Sequence, residues 1–351
     1  MPPSTDSAMR GVVLLGARKV DWVERPVPKA GHGQVLLRVR ASSICGSDIR
    51  AIYREHLGHG PEAYQGVVAG HEPAGEVVEV GPGCRRLRVG DRVAVYHIAG
   101  CGLCPSCRAG YMIGCRDESR AAYGWQRDGG HAPYLLAEEV TCIALPDSVS
   151  FVDGASAACS AGTAYEALLR IGVSGRDRLL VTGLGPVGLA VALLAGALGV
   201  TTIVGTDPSP ERRALAERLG LVTAAIDGAS GRAAVLEAAG GPVEASIDAS
   251  GEDAGRRLAL DALADFGRCA FVGEGGTLTL EPSPMLIHRQ VTLVGSWVTS
   301  LGHMAELLER LDRWGLHPAS LVTDRFPLAE AAAAYELADR GLAGKVCLVT
   351  D

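Results

Sequence analysis

Cys101, Cys104, Cys107 and Cys115 follow a C-x2-C-x2-C-x7-C pattern within "CGLCPSCRAGYMIGC". Four thiolates on one short lobe containing glycine and proline can surround a tetrahedral Zn²⁺ unaided. Four protein sulfurs also fill the coordination sphere and leave no corner for water or substrate, the mark of a structural ion. An iron–sulfur cluster uses similar tetrads, and four unrelated thiols or two disulfides are the plain alternatives. The lobe reads as a brace, so reactivity is expected elsewhere.

Ligands of another kind are scattered along the chain: Cys45 in "SSICGSDIR", His71 with Glu72 in "GVVAGHEPAGEVVEVG", and Cys159 in "AACSAGTAYEAL". Singly, such a cysteine reads as a small buried hydrophobe and such a histidine as a satisfied structural residue. Together, Cys45, His71 and Cys159 would form a Cys₂His site, a catalytic zinc type whose fourth position stays open to water or substrate.

A third signal is "RLLVTGLGPVGLAVALLAGALG": an apolar strand, then Gly183, Gly185 and Gly188 in G-x-G-x-x-G spacing around Pro186 and Val187, then a helix. Pro186 stands where the first turn of a helix accepts proline. The glycines permit a tight turn and close backbone approach to a pyrophosphate, which sits on the positive end of the helix. The next strand, "TTIVGTD", ends in Asp207. A carboxylate there binds the adenosine ribose 2′-OH and repels a 2′-phosphate, favouring NAD over NADP. Arg212 and Arg213 follow as a basic pair, read either as a phosphate-tolerant group or as a solvated helix face.

The chain of 351 residues exceeds one ordinary core, which predicts two domains. A net charge of −7 argues against nucleic acid or an anionic membrane as partner. "MPPSTDSA" lacks the basic start and apolar stretch of a leader and reads as a short disordered tail. Ten cysteines in a long chain without such a leader suit thiols and metal ligands, so the cytoplasm is expected.

The elements that must position these groups change character along the chain. Residues 11–15, 34–40 and the stretch 74–95 read as short strands with Gly/Pro turns, making the first 150 residues mainly β. From about 152 a helical segment leads into strands at 178–183, 201–206, 244–249, 268–273 and 291–296, with helices at 186–198, 210–219 and 253–264. Such alternation predicts a parallel, doubly wound sheet. Helices at 302–314 and 328–340 and the strand "KVCLVT" close the chain.

With these pieces assembled, the sequence resembles the zinc-dependent medium-chain dehydrogenase/reductase family of alcohol and polyol dehydrogenases. The likeness runs from about residue 9 to the end and rests on "CGSD" at 45–48, "GHE" at 70–72, the four-cysteine lobe, "GLGPVG" and "GKVCLV". It implies an α/β chain: a GroES-like catalytic domain (1–157), a Rossmann coenzyme domain (158–296), and a return to the catalytic domain (297–351).

The resemblance further implies that Cys45, His71 and Cys159 hold a catalytic zinc, with Glu72 as a close or exchanging ligand, and that Cys101, Cys104, Cys107 and Cys115 hold a structural one. It makes Ser47 the hydroxyl that passes the substrate proton onward, and Asp48 the group that orients the ligand imidazole. Thr163, Val272 and Ser296 would meet the nicotinamide half, and His97 and Trp297 would wall the substrate pocket.

Arg50 stands where many relatives end the proton relay with histidine. An always-protonated guanidinium cannot serve as that base, which leaves water, His56 or His59. The expected activity is NAD-linked interconversion of a polar, polyol-like secondary alcohol and its carbonyl compound, in a homodimer or homotetramer. A simple alcohol or threonine-type dehydrogenase and a non-catalytic NAD-binding protein are the other readings.

Overall fold

The computed structural model describes residues 8–60, 63–342 and 344–350. It divides the chain into two compact units, Met1–Gly162 with Thr299–Asp351, and Thr163–Val298. Positions 1–7 of the expected N-terminal tail lie outside the described residues, while Ala8 already opens a strand.

The first unit is built on a seven-stranded sheet. Gln34–Ile44 lies near its middle, flanked by antiparallel Glu72–Val80 on one side and Lys345–Val349 on the other. Arg92–Val95 and Cys142–Ala144 continue beyond Glu72–Val80, Val322–Pro327 runs parallel to the C-terminal strand, and Tyr134–Glu138 also pairs with Gln34–Ile44. Val35, Leu37, Val39, Val77, Val93 and Val95 fill one core beneath these strands. β-Branched residues at alternate positions suit a pleated, half-buried surface.

Register decides what this sheet presents at its end. Ser43 pairs with Glu72 and with Cys347, and Ile44 pairs with Val346. The close of one strand (Ile44, then Cys45), the start of the second (His71, Glu72) and the start of the third (Lys345) are therefore neighbours.

The hairpin Ala8–Gly16/Lys19–Pro26 was not expected beyond residues 11–15. Its turn residues Ala17 and Arg18 both have positive φ, 48° and 58°, a geometry usually announced by Asn-Gly or Asp-Gly. No residue of the second strand is fully buried, and its polar–apolar alternation is short, running from Lys19 to Trp22 before Val23 breaks it.

The second unit is a six-stranded parallel sheet in the order Ala224–Ile226, Thr202–Thr206, Arg178–Thr182, Val243–Asp248, Leu263–Phe271, Thr292–Gly295. In chain order this is 3-2-1-4-5-6, the doubly wound dinucleotide-binding arrangement. The first strand is central, and the chain winds outward from it on both sides. The strand at 224–226 and the helix Gly231–Ala239 were missed, the helix being rich in alanine with only Val235 and Ala239 buried. The helix read to 264 stops at Asp261, because Leu263 already pairs with Val243 before an irregularity at Phe266, φ 61°.

Candidate metal centre and dinucleotide turn

Cys45 follows the central strand directly and starts the short helical stretch Gly46–Asp48. Asp48, fully buried, binds two neighbours at once: Oδ2 accepts from the Cys45 backbone N–H at 2.9 Å, and Oδ1 lies 2.8 Å from His71 Nδ1. With Nδ1 committed, His71 has Nε2 left to offer a cation, the carboxylate–imidazole arrangement that fixes tautomer and ring orientation.

Cys159 caps the helix Phe151–Ala158 at φ −143°, ψ −72°. That helix begins with a reciprocal Ser150–Asp153 capping box and packs on the strands carrying the other groups. Asp153 also accepts from Ala319 N–H at 2.8 Å, tying the returning C-terminal segment to it.

One ligand atom each from Cys45, His71, Glu72 and Cys159 lie within 4.8 Å of one another. The two sulfurs are 3.8 Å apart. Two Zn–S bonds of about 2.3 Å at a tetrahedral angle demand about 3.8 Å, so the donors fit a single Zn²⁺. The hydrogen bond with Cys159, against opposing burial and helped by nearby His71, holds the Cys45 thiol well below its usual range; Cys159 moves up in return. Burial lowers the His71 pKa, but Asp48 and Cys45 outweigh it and leave the imidazole well above the ordinary histidine range. Loading a cation therefore displaces protons from this set.

Sequence reasoning missed Lys345. It is 2% exposed, and its Nζ sits 2.6 Å from both oxygens of the fully buried Glu72. Hydrogen-bond geometry is met at Oε1 only, leaving Oε2 without a hydrogen-bond partner. Burial pushes the Glu72 carboxyl up to about 7 against the pull of Lys345. The lysine remains above its usual range because Glu72, then Cys45 and Cys159, outweigh its desolvation. No local motif marks a lysine that acts across 273 positions; only strand pairing reveals it.

His97 is buried beside the cluster, its ring 5.2 Å from that of His71. Nδ1 lies 2.9 Å from the Ala158 carbonyl, so it carries the proton and Nε2 keeps a lone pair. Burial and then His71 depress its pKa to about 4, so the ring is neutral at ordinary pH. Ser47 is half-buried and Arg50 exposed. His56 places Nε2 2.9 Å from the Leu14 carbonyl.

The four-cysteine lobe brings one sulfur from each of Cys101, Cys104, Cys107 and Cys115 within 4.8 Å of the others, with 4.0 Å between Cys101 and Cys107. All four are free thiols, which removes the disulfide reading. So compact a set suits one ion better than a cluster of several irons spread between the sulfurs. The N–H groups of Leu103 and Cys104 point at Cys101 Sγ, each at 3.4 Å, and lower that thiol to about 7; burial pushes Cys107 up to about 12.

In the second unit, Gly183 has φ 89°, and a Cβ there would meet the Ser250 backbone at 2.7 Å; at Gly188 it would lie 1.8 Å from the Gly183 carbonyl. Gly185 differs, with only Arg212 approaching, at 3.9 Å; it caps the helix Pro186–Ala197 without a side-chain cap hydrogen bond. This open backbone is what a pyrophosphate needs.

Asp207, at the end of the adjacent strand, accepts from Leu184 N–H and Ser209 N–H, both at 2.9 Å, and lies 3.5 Å from Arg212. Arg213 instead bonds the carbonyls of Asp207 and Pro208. Thr163 is buried, and Val272 N–H donates to the Asp248 carbonyl. Ser296 is buried with an unpartnered Oγ, whereas Trp297 is 58% exposed.

The sequence matches the family model of the alcohol dehydrogenase GroES-like domain over residues 31–147 and that of zinc-binding dehydrogenase over 186–313. It is 47% identical to the uncharacterized zinc-type alcohol dehydrogenase-like protein YphC of Escherichia coli K12, over 97% of this chain and 98% of that one. The chain belongs to the zinc-type alcohol dehydrogenase family.

It is also 30% identical to L-threonine 3-dehydrogenase of Shewanella loihica, over 98% of this chain and all of the relative. The solved alcohol dehydrogenase TADH of Thermus sp. ATN1 superposes with a TM-score of 0.86 at 30% identity, covering 98% of this chain and all of that one. The protein is thus a zinc-type alcohol dehydrogenase-like oxidoreductase of CH–OH donors, combining a GroES-like, mainly β domain with a Rossmann-type parallel sheet. Among the described residues no helix is long and apolar enough to cross a membrane.

Proposed function

We propose that the protein oxidises, reversibly and with NAD, a secondary alcohol bearing a second polar group next to the carbinol. Cys45, His71 and Cys159 hold a Zn²⁺, and Cys101, Cys104, Cys107 and Cys115 hold a structural one. When bound, the catalytic zinc supplies a Lewis acid that lowers the pKa of a hydroxyl presented to it. The Ser47 hydroxyl takes the proton onward, and Asp48 keeps His71 aimed.

The observation that carries the substrate class is His97: with Nδ1 donating to Ala158, Nε2 is an acceptor beside His71. An acceptor there favours a substrate with a neighbouring O–H or N–H donor over a plain alkanol. A donor-bearing substrate gains a hydrogen bond, whereas an apolar one leaves the nitrogen unpaired. A vicinal amino alcohol satisfies the same acceptor, and the likeness to L-threonine 3-dehydrogenase favours including that class.

NAD is favoured over NADP by the Asp207 carboxylate, and the glycine turn supports pyrophosphate binding. The test is a panel of polyols, amino alcohols and alkanols with NAD⁺ or NADP⁺, read as reduced-cofactor absorbance, on the unchanged protein and on His97→Phe. The panel should favour the vicinal polar substrates with NAD⁺, and His97→Phe should move the ranking toward alkanols. An unchanged ranking would sink the assignment.

A further inference from the structure

The Glu72–Lys345 pair is fully enclosed and shares its location with the metal donors, yet Cys45, His71 and Cys159 need neither member to hold an ion. Two facts define what it does. One carboxylate oxygen of Glu72 lies within 4.8 Å of the donor atoms of Cys45, His71 and Cys159, close enough to be a fourth protein ligand. Lys345 engages the same carboxylate at both oxygens, hydrogen-bonded to Oε1 and 2.6 Å from Oε2.

A buried carboxylate must be neutralised by something. Besides a proton, two partners are within reach, the ammonium and the cation. A zinc with four protein ligands has no corner for substrate. Whichever partner wins therefore decides whether the site is open.

We propose that Lys345 is a positioning residue that holds Glu72 away from the metal, keeping the fourth coordination position open for substrate. The inference rests on the metal reading above. The lysine reaches this spot because Val346 pairs with Ile44, one residue before Cys45, and Cys347 pairs with Ser43, which pairs in turn with Glu72. The last strand of the chain thereby carries the latch for a site whose ligands were laid down far earlier. Without the ammonium, the cation is the remaining charge partner, and the carboxylate closes the fourth corner.

The test uses the full chain loaded with Co²⁺, reading the Cys45-dependent visible absorption as the difference from Cys45→Ser, and titrating with imidazole as an external ligand. In the unchanged protein, imidazole should shift these bands. In Lys345→Met, the bands should differ before any addition, and the half-saturating imidazole concentration should rise about tenfold or more. Glu72→Gln added to Lys345→Met should restore the response, and Lys345→Arg should retain it.

A merely structural lysine would lower the melting temperature when replaced but would leave the bands before imidazole addition unchanged. Should Lys345→Met fail to fold, Lys345→Gln reads the same shift, since it keeps a hydrogen bond without the charge. Spectra and half-saturation equal to those of the unchanged protein in either variant overturn the latch. Absence of any Cys45-dependent signal in the unchanged protein overturns the metal reading itself, and the latch with it.

Discussion

The two cysteine-rich centres show how differently a chain can assemble a tetrahedral set of donors. In the lobe, all four ligands come from residues 101–115, a short helix and turns position them, and backbone N–H groups of the lobe itself stabilise the Cys101 sulfur. At the other centre, the donors come from a strand end, a strand start and a helix end. Buried groups hold three of these side chains or their backbone: Asp48 engages Cys45 N–H and His71, and Lys345 engages Glu72. Four local sulfurs suffice to fill a tetrahedral sphere, whereas donors drawn from separate elements take their orientation from the groups behind them.

The comparison breaks most sharply if the two centres exchange roles. His71→Ala should remove one zinc per chain and lower kcat/KM on the order of 10³-fold or more, with the lobe's zinc retained. Metal analysis beside steady-state kinetics checks this. Cys107→Ser should remove the other zinc and lower the melting temperature more than His71→Ala does, while leaving the turnover of folded protein within a few-fold. Equal effects of the two variants on turnover would erase the distinction.

Asp48→Asn sharpens the contrast at a smaller scale. The amide still reaches Cys45 and His71 but no longer supplies a charge, and metal affinity at the open site should fall about 10- to 100-fold. Competition with a chelator measures it, and the lobe's affinity should stay unchanged.

An effect of comparable size, on stability instead of metal binding, concerns the scaffold behind Cys45, His71 and Cys159. His131 is buried between Ser42 Oγ at 2.9 Å and Tyr335 Oη at 3.0 Å, and burial depresses its pKa from 6.5 to about 4. Between those values the unfolded chain binds a proton that the folded chain refuses. Stability contributed by neutral His131 is therefore full above about pH 6.5 and is lost as pH falls toward about 4. His131→Asn should flatten that stretch of the stability–pH curve by roughly 2–3 kcal/mol, followed by denaturant unfolding at several pH values.

The lobe could be read in the sequence because its spacing is its geometry. The glycine turn was equally legible: Gly183 and Gly188 tolerate no side chain, and strand and helix flank them as the motif requires. Cys45, His71 and Cys159 could be grouped by residue type and were supported by the resemblance, but no spacing rule links residues brought together by strand register.

Lys345 escaped altogether. In "GKVCLVT" it reads as the polar start of a final strand, and its burial against Glu72 follows from the pairing of strands hundreds of residues apart. The hairpin strand Lys19–Pro26 and the edge strand Val322–Pro327 were lost for another reason. Each is short and half-buried, with only a few apolar residues (Val20, Trp22 and Val23; Val322 and Phe326) to mark it.

Zinc-edge anomalous diffraction from crystals of the full chain tests most directly whether one centre is closed and the other open. The account predicts two peaks per chain: one about 2.3 Å from the sulfurs of Cys101, Cys104, Cys107 and Cys115, the other bonded to Cys45 Sγ, Cys159 Sγ and His71 Nε2 with a non-protein fourth neighbour. A chain with no peak among Cys45, His71 and Cys159, or with that peak enclosed by four protein atoms, would contradict it.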